Sequence, residues 1–488
     1  MSVDNPGQDT NQVLKAAFAL GVLSNSLGEA TAQALRLVGM AILARALDPS
    51  DFGLYRLLLV VIGISQLLVE LGVPEAMIQR RELEPDRQAA GFWLIGAGTI
   101  LVVCGLASGG GLLARILGTA DQAWQYRILA VPAAFWGLGA LPSANLRRQM
   151  RFGALALAEA TGEAAFLMAA LVALFVIHRP REALLTGLCA RFITEASMLA
   201  MAGAMWPQVP PSGLGIRQIG AFAAPVCAGR LFVNLSANLD FVLIARLLGT
   251  GPLGYYAIAW DLLRFIPNRL YRMVVRLTLP LFSRLQDDNS VLRTTYRNFV
   301  GTLARLELPL MACLAILADP IVKLIYSARW EPAAPLLQLL TPGLTFAALS
   351  LAMGSVFCSK GRPAMDIYLN GLRIALIALT VVTLARFGLL AISAGMSTVE
   401  GLTGLMGQFV ACALIEERLA RLMKEVLPGL GLALACGGLC WGASTLLGTN
   451  VGAWVRILIS LGLAAAAYGL LQRAAIRRFA NRISPLIA

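Results

Sequence analysis

Hydrophobic residues in this chain gather into long uninterrupted runs separated by short polar segments. Runs of roughly 20 residues or more, enough for a helix to cross a bilayer core, recur about fourteen times. They lie near 16–44, 53–79, 89–114, 123–146, 153–177, 183–206, 217–245, 253–282, 298–318, 334–358, 364–386, 388–415, 427–447 and 452–472. This pattern predicts an all-α integral membrane protein with about fourteen transmembrane helices. The short segments between runs leave no room for a separate soluble catalytic domain.

One junction between runs is written twice. Ala44-Arg45-Ala46-Leu47-Asp48-Pro49-Ser50-Asp51-Phe52-Gly53-Leu54-Tyr55 is echoed without gaps by Ala245-Arg246-Leu247-Leu248-Gly249-Thr250-Gly251-Pro252-Leu253-Gly254-Tyr255-Tyr256. Each copy ends one apolar run at a Gly or Pro and opens the next with Gly-x-Tyr. The spacing of roughly 200 residues far exceeds a solenoid unit and suits two six-helix halves of a transporter. An even number of helices per half makes this a parallel repeat about an axis normal to the membrane. The expected lobes are 16–206 and 217–425, around a central cavity, joined by the Pro-rich linker 207–216. Residues 426–488 add two Gly/Ala/Leu-rich helices, suited to close packing, and a basic tail.

Composition agrees with lipid as the solvent: 58% of residues are hydrophobic, 14% are charged, and mean hydropathy is +0.74. The first run is too long and too polar for a cleavable signal, carrying Asn25, Glu29, Gln33 and Arg36 behind Asp4 and Asp9. A net charge of +13 would ordinarily suggest nucleic acid. The basic residues instead fall in alternate loops: Arg80, Arg81 and Arg87; Arg147, Arg148 and Arg151; Arg284, Arg293 and Arg297; Lys360 and Arg362; Arg418, Arg421 and Lys424. By the positive-inside rule both termini are cytoplasmic, so the charge reports topology and no nucleic-acid partner is expected. The eight cysteines all lie in apolar runs without a CxxC pair, and His178 is the sole histidine, which argues against a metal site. Neither metal nor cofactor is expected.

Ionisable groups inside these runs are the candidates for function, because an Arg at a helix centre costs about 2.5–3.5 kcal/mol on insertion scales. The first run has Glu29 and Arg36 and the second Glu70; the fifth has Glu159 and Glu163, and the sixth Arg191 and Glu195. The seventh has Arg230, Asn234, Asn238 and Asp240. The eighth is densest, with Asp261, Arg264, Asn268, Arg269, Arg272 and Arg276 at helical spacings that gather them on adjoining stripes. Such a face requires a wet interior. Arg246 and Arg276 lie near helix ends, where snorkelling also explains them. Asp261 and Arg264 could form an intrahelical pair, and Glu159 with Glu163 either a proton or cation site or a pair with Arg191. The intramembrane bases are nearly all Arg, whose fork matches phosphate oxygens. A cavity binding a large anionic head group follows.

On this repeat, linker and loop pattern, the chain resembles the oligosaccharide flippases of the multidrug/oligosaccharidyl-lipid/polysaccharide exporter superfamily, over essentially its whole length. It is similar to bacterial polysaccharide-export (Wzx-type) members. The resemblance is carried by 43–55, by Leu71-Gly72-Val73-Pro74-Glu75 through Arg80, and by Leu146-Arg147-Arg148-Gln149-Met150-Arg151-Phe152. Asn238-Leu239-Asp240, Ala245 through Gly249, Phe282 through Gln286, and Arg329-Trp330 with Ala333, Ala334, Leu336 and Leu337 complete it. Their order and spacing are specific; none is a catalytic signature. Ala245 stands where relatives often carry Gly, another small residue.

The resemblance implies a non-enzymatic flippase in the bacterial inner membrane. It would move a polyprenyl-pyrophosphate-linked oligosaccharide to the periplasmic leaflet by alternating access, the lipid tail staying among membrane lipids. Arg36, Arg230, Arg264, Arg269, Arg272, Asn234 and Asn268 would contact the pyrophosphate or acidic sugars. Asp240, Asp261 and Glu163 would couple transport to protons or sodium, and a polysaccharide polymerase would be a partner. A drug/cation antiporter of the same superfamily is the alternative, disfavoured by fourteen helices and an Arg-rich eighth run. A membrane polymerase or ligase would need a large external loop, and none is evident.

Overall fold

The computed structural model describes residues 28, 30–79, 84–203, 209–448 and 451–487, leaving aside the side chains of 266, 268–277, 279–280 and 472–487. Among the described residues the elements are all helical, with no strand. The chain divides into two compact units, Met1–Gly251 and Pro252–Ala488. The first contains α1 (30–46), α2 (Pro49–Glu70), α3 (Val73–Gln79), α4 (Pro85–Ile116), α5 (Ala123–Ile128), α6 (Ala130–Arg148), α7 (Phe152–Leu171), α8 (Pro180–Gly203) and α9 (Gly213–Leu248). Helix α10 (Thr250–Arg284) leads into the second unit. There follow α11 (Asn289–Ile316), α12 (Ala318–Ile325), α13 (Ala333–Leu349), α14 (Met353–Ser359), α15 (Ala364–Leu384), α16 (Leu389–Leu414), α17 (Leu419–Leu447) and α18 (Ala453–Ile487).

Among the described residues, twelve helical segments are long and apolar enough to cross a membrane. They correspond to all the predicted runs but the first and the eighth. The first run begins outside the described residues. The eighth forms the continuous 35-residue α10, whose charges hold it below that apolar threshold. Large apolar side chains such as Leu101, Val176, Leu434 and Leu446 point outward, as a lipid-facing surface requires.

Both copies of the repeat are helix junctions. Asp48, in extended conformation, precedes Pro49 at the start of α2, and the Asp51 carboxylate accepts the Asp48 N–H at 3.3 Å. At the aligned position Gly249 takes φ 92° and ends α9, its N–H bonding Ala245 O at 2.9 Å. The run 53–79 differs from expectation in being broken. Leu71 and Gly72 adopt φ 51° and 78°, separating α2 from α3. An added Cβ on Gly72 would sit 2.4 Å from the Ala223 carbonyl oxygen of α9, so only glycine permits both the turn and this approach.

In the first unit α9 packs on α2, α3 and α4, while α8 packs on α6 and α7. In the second, α11 packs on α17, α16 on α13 and α15, and α18 on α17. Gly343 of α13 lies so close to α16 that a Cβ would come within 1.9 Å of Ser397 O. Polar bonds tie loop segments together within each unit. The Ser212 N–H and hydroxyl both donate to Asp86 at 2.6 Å, and Arg151 donates to Ala202 O at 3.1 Å. In the second unit Lys360 Nζ donates to Asn289 Oδ1 at 2.6 Å and Arg293 to Glu416 O at 3.1 Å.

Candidate functional site: a cavity at a broken helix

The break at Leu71–Gly72 brings two carboxylates from one apolar run to a single guanidinium. Glu70 ends α2, Glu75 opens α3, and Arg230 reaches them from the middle of α9. Arg230 Nη1 donates to Glu70 Oε2 at 2.8 Å and to Glu75 Oε1 at 2.7 Å. Trp136 of α6 donates from Nε1 to Glu70 Oε1 at 3.2 Å, and its ring meets Phe192 edge-on at 5.8 Å. These groups line a cavity of about 290 Å³ with Gln66, Ser143, Arg147 and Asn234. Its ionisable lining is two acids and two arginines, so the acids and bases balance in number. The buried Glu75 Oε2 has no protein partner among the described residues.

A second cluster joins α1, α7 and α8. Glu163 is buried, and Arg36 Nε and Arg191 Nη1 both reach its Oε1, at 3.0 and 2.9 Å. Glu195 stands 3.7 Å from Arg191 Nε. Of the readings open for Glu163, the structure shows pairing with Arg191, and it adds Arg36. The second unit holds a matching pair with polarity reversed: Arg373 of α15 donates from Nε to Glu400 Oε1 of α16 at 3.2 Å. In each unit the buried member is the carboxylate.

The remaining predicted positions are scattered. Asn238 donates to Asn234 O at 2.9 Å, one turn away on α9, and Asp240 is buried on the same helix. Arg264 lies 5.1 Å over the Trp260 ring on α10, where Asp261 is exposed. Asn268, Arg269 and Arg272 are on that helix too, but their side chains lie outside the described residues. Arg230 and Asn234 thus meet at the cavity, and Arg36 meets Glu163 elsewhere. Sequence reasoning overlooked Gln66, Trp136, Arg373 and Glu400, and gave Glu75 no role. Gly72 followed by Pro74 was the available signal for a break beside Glu75.

The sequence profile described as polysaccharide biosynthesis protein matches residues 42–335, more than half of the chain. The chain belongs to the polysaccharide biosynthesis protein family. Within it, the chain is similar to the lipopolysaccharide biosynthesis protein WzxC of Escherichia coli (strain K12), 23% identical over 77% of each chain. It is also similar to the teichuronic acid biosynthesis protein TuaB of Bacillus subtilis (strain 168), 23% identical over 83% of this chain and 84% of that one. Among solved structures, the lipid II flippase MurJ in an inward closed conformation superposes with a TM-score of 0.69 at 13% identity, covering 93% of this chain and 99% of MurJ. That likeness shows the fold of this family member.

Proposed function

We propose that this family member is a flippase that carries a polyprenyl-pyrophosphate-linked oligosaccharide repeat unit from the cytoplasmic to the periplasmic leaflet of a bacterial inner membrane. The observation that carries the reading is a charged, water-accessible cavity inside an otherwise apolar, many-spanning unit. Lipid has no use for such a cavity, whereas a polar head group crossing the membrane needs one. The family, the two biosynthesis relatives and the flippase fold support polysaccharide export. The moving lobes are 16–206 and 217–425, with both termini cytoplasmic. Arg264, Arg269 and Arg272 of α10, with Asn268, supply the pyrophosphate contacts. Proton or sodium coupling through Asp240 or Asp261, and a polymerase as downstream partner, complete the proposal.

The test is transport of a fluorescent polyprenyl-pyrophosphate oligosaccharide in proteoliposomes. The wild type should translocate the head group, and Arg264→Ala and Arg269→Ala should lose translocation while remaining folded. Absence of transport by folded wild type, with both a proton and a sodium gradient imposed, would overturn the reading.

A further inference from the structure

We infer that the cavity at the broken helix is a subsite for an uncharged sugar of the head group, and not for its pyrophosphate. This rests on the flippase reading and narrows it. A pyrophosphate site needs positive charge in excess, with guanidinium donors free to meet phosphate oxygens. Here Arg230 is already held by Glu70 and Glu75, and Arg147 supplies no excess, since the lining acids and bases balance. The repulsion of an added anion by the two carboxylates works against its attraction to the arginines.

What the cavity offers instead is acceptors and a fixed aromatic surface. Glu75 Oε2 is buried without a protein partner among the described residues and can accept a hydroxyl hydrogen. Gln66 and Asn234 add amides that both donate and accept. The Trp136 indole is immobilised by its bond to Glu70 and its contact with Phe192. An indole face packs on the apolar C–H face of a sugar ring while the surrounding hydroxyls bond to carboxylate and amide. The volume of about 290 Å³ is at the small end of ligand pockets and suits a single sugar residue.

The experiment is saturation-transfer NMR on the purified full-length protein. The probes are methyl glycosides of glucose, galactose, mannose and N-acetylglucosamine, with inorganic pyrophosphate as competitor. At least one glycoside should receive saturation and resist displacement by pyrophosphate. Gln66→Leu, which removes no ion-pair partner, should weaken binding roughly tenfold with unchanged thermal stability, and Trp136→Phe, which also loses the bond to Glu70, should weaken it by a similar factor when measured below its own unfolding midpoint. Displacement by pyrophosphate, no saturation of any glycoside, or binding unchanged in both variants would overturn the subsite. Transport of the lipid-linked oligosaccharide by wild type is measured alongside. Transport without glycoside binding sinks the subsite alone, and glycoside binding without transport sinks the flippase reading alone.

Discussion

Replacing Arg373 with methionine should destabilise the protein more than the same change at Arg191. Glu400 is 4% exposed and Arg373 15%, so the pair is nearly sealed from water. Removing the guanidinium leaves a carboxylate buried without a counter-charge, which costs about 3–5 kcal/mol. At about 2–4 °C per kcal/mol for a unit of this size, the midpoint of thermal unfolding falls by about 6–20 °C. Glu163 keeps Arg36 when Arg191 is removed, so the loss there is one charge-assisted bond of about 1.5–3 kcal/mol together with the looser 3.7 Å contact to Glu195. The assay is thermal unfolding of the full chain in detergent, followed by tryptophan fluorescence. Arg373→Met combined with Glu400→Leu should recover most of the loss, because an apolar pair replaces the ions. Additive losses in that double variant would refute the coupling. Equal losses for Arg191→Met and Arg373→Met would refute the claim that Arg36 shares the Glu163 charge.

Three further outcomes follow from local geometry. Gly72→Ala forces a side chain into a positive φ and against Ala223, and should cost about 1–3 kcal/mol while lowering transport; an unchanged midpoint would show that the break is not held as described. Glu307 of α11 is fully buried with both carboxylate oxygens unpartnered among the described residues, so Glu307→Leu should raise the unfolding midpoint, and a fall would show that the carboxyl does bonding work. Cys313 and Cys440 approach to 3.3 Å between α11 and α17, and mild copper-phenanthroline oxidation should join them, read as loss of two free thiols by mass spectrometry and prevented by Cys313→Ser.

The apolar runs were legible because a bilayer imposes their length directly, and the repeat marked two junctions that the structure makes with Asp48 and Gly249. Hydropathy averaged over 53–79 hid the break that brings Glu70 and Glu75 to one cavity, since two residues with positive φ barely change a window's mean. Arg230 stood out as a deep cation, but its neutralisation by acids far away in sequence depends on α9 packing against α2 and α3. Arg373 and Glu400 lie in separate helices, with no helical spacing to link them; only the packing of α15 on α16 makes them partners.

The two reversed ion pairs also bear on how the chain enters the membrane. Glu163 and Arg191 lie on consecutive helices, as do Arg373 and Glu400, the latter 27 residues apart. Emerging singly from the translocon, α7, α15 and α16 would each carry a charge with no counter-charge beside it, at a cost on the order of 2.5–3.5 kcal/mol near a helix centre. If α7–α8 and α15–α16 insert as hairpins, the opposing charge arrives before the first helix must face lipid alone. The order of acid and base along the chain is then immaterial, and each half can use its own. What insertion in pairs requires is one partner on the neighbouring helix, which Arg191 gives Glu163 and Arg373 gives Glu400.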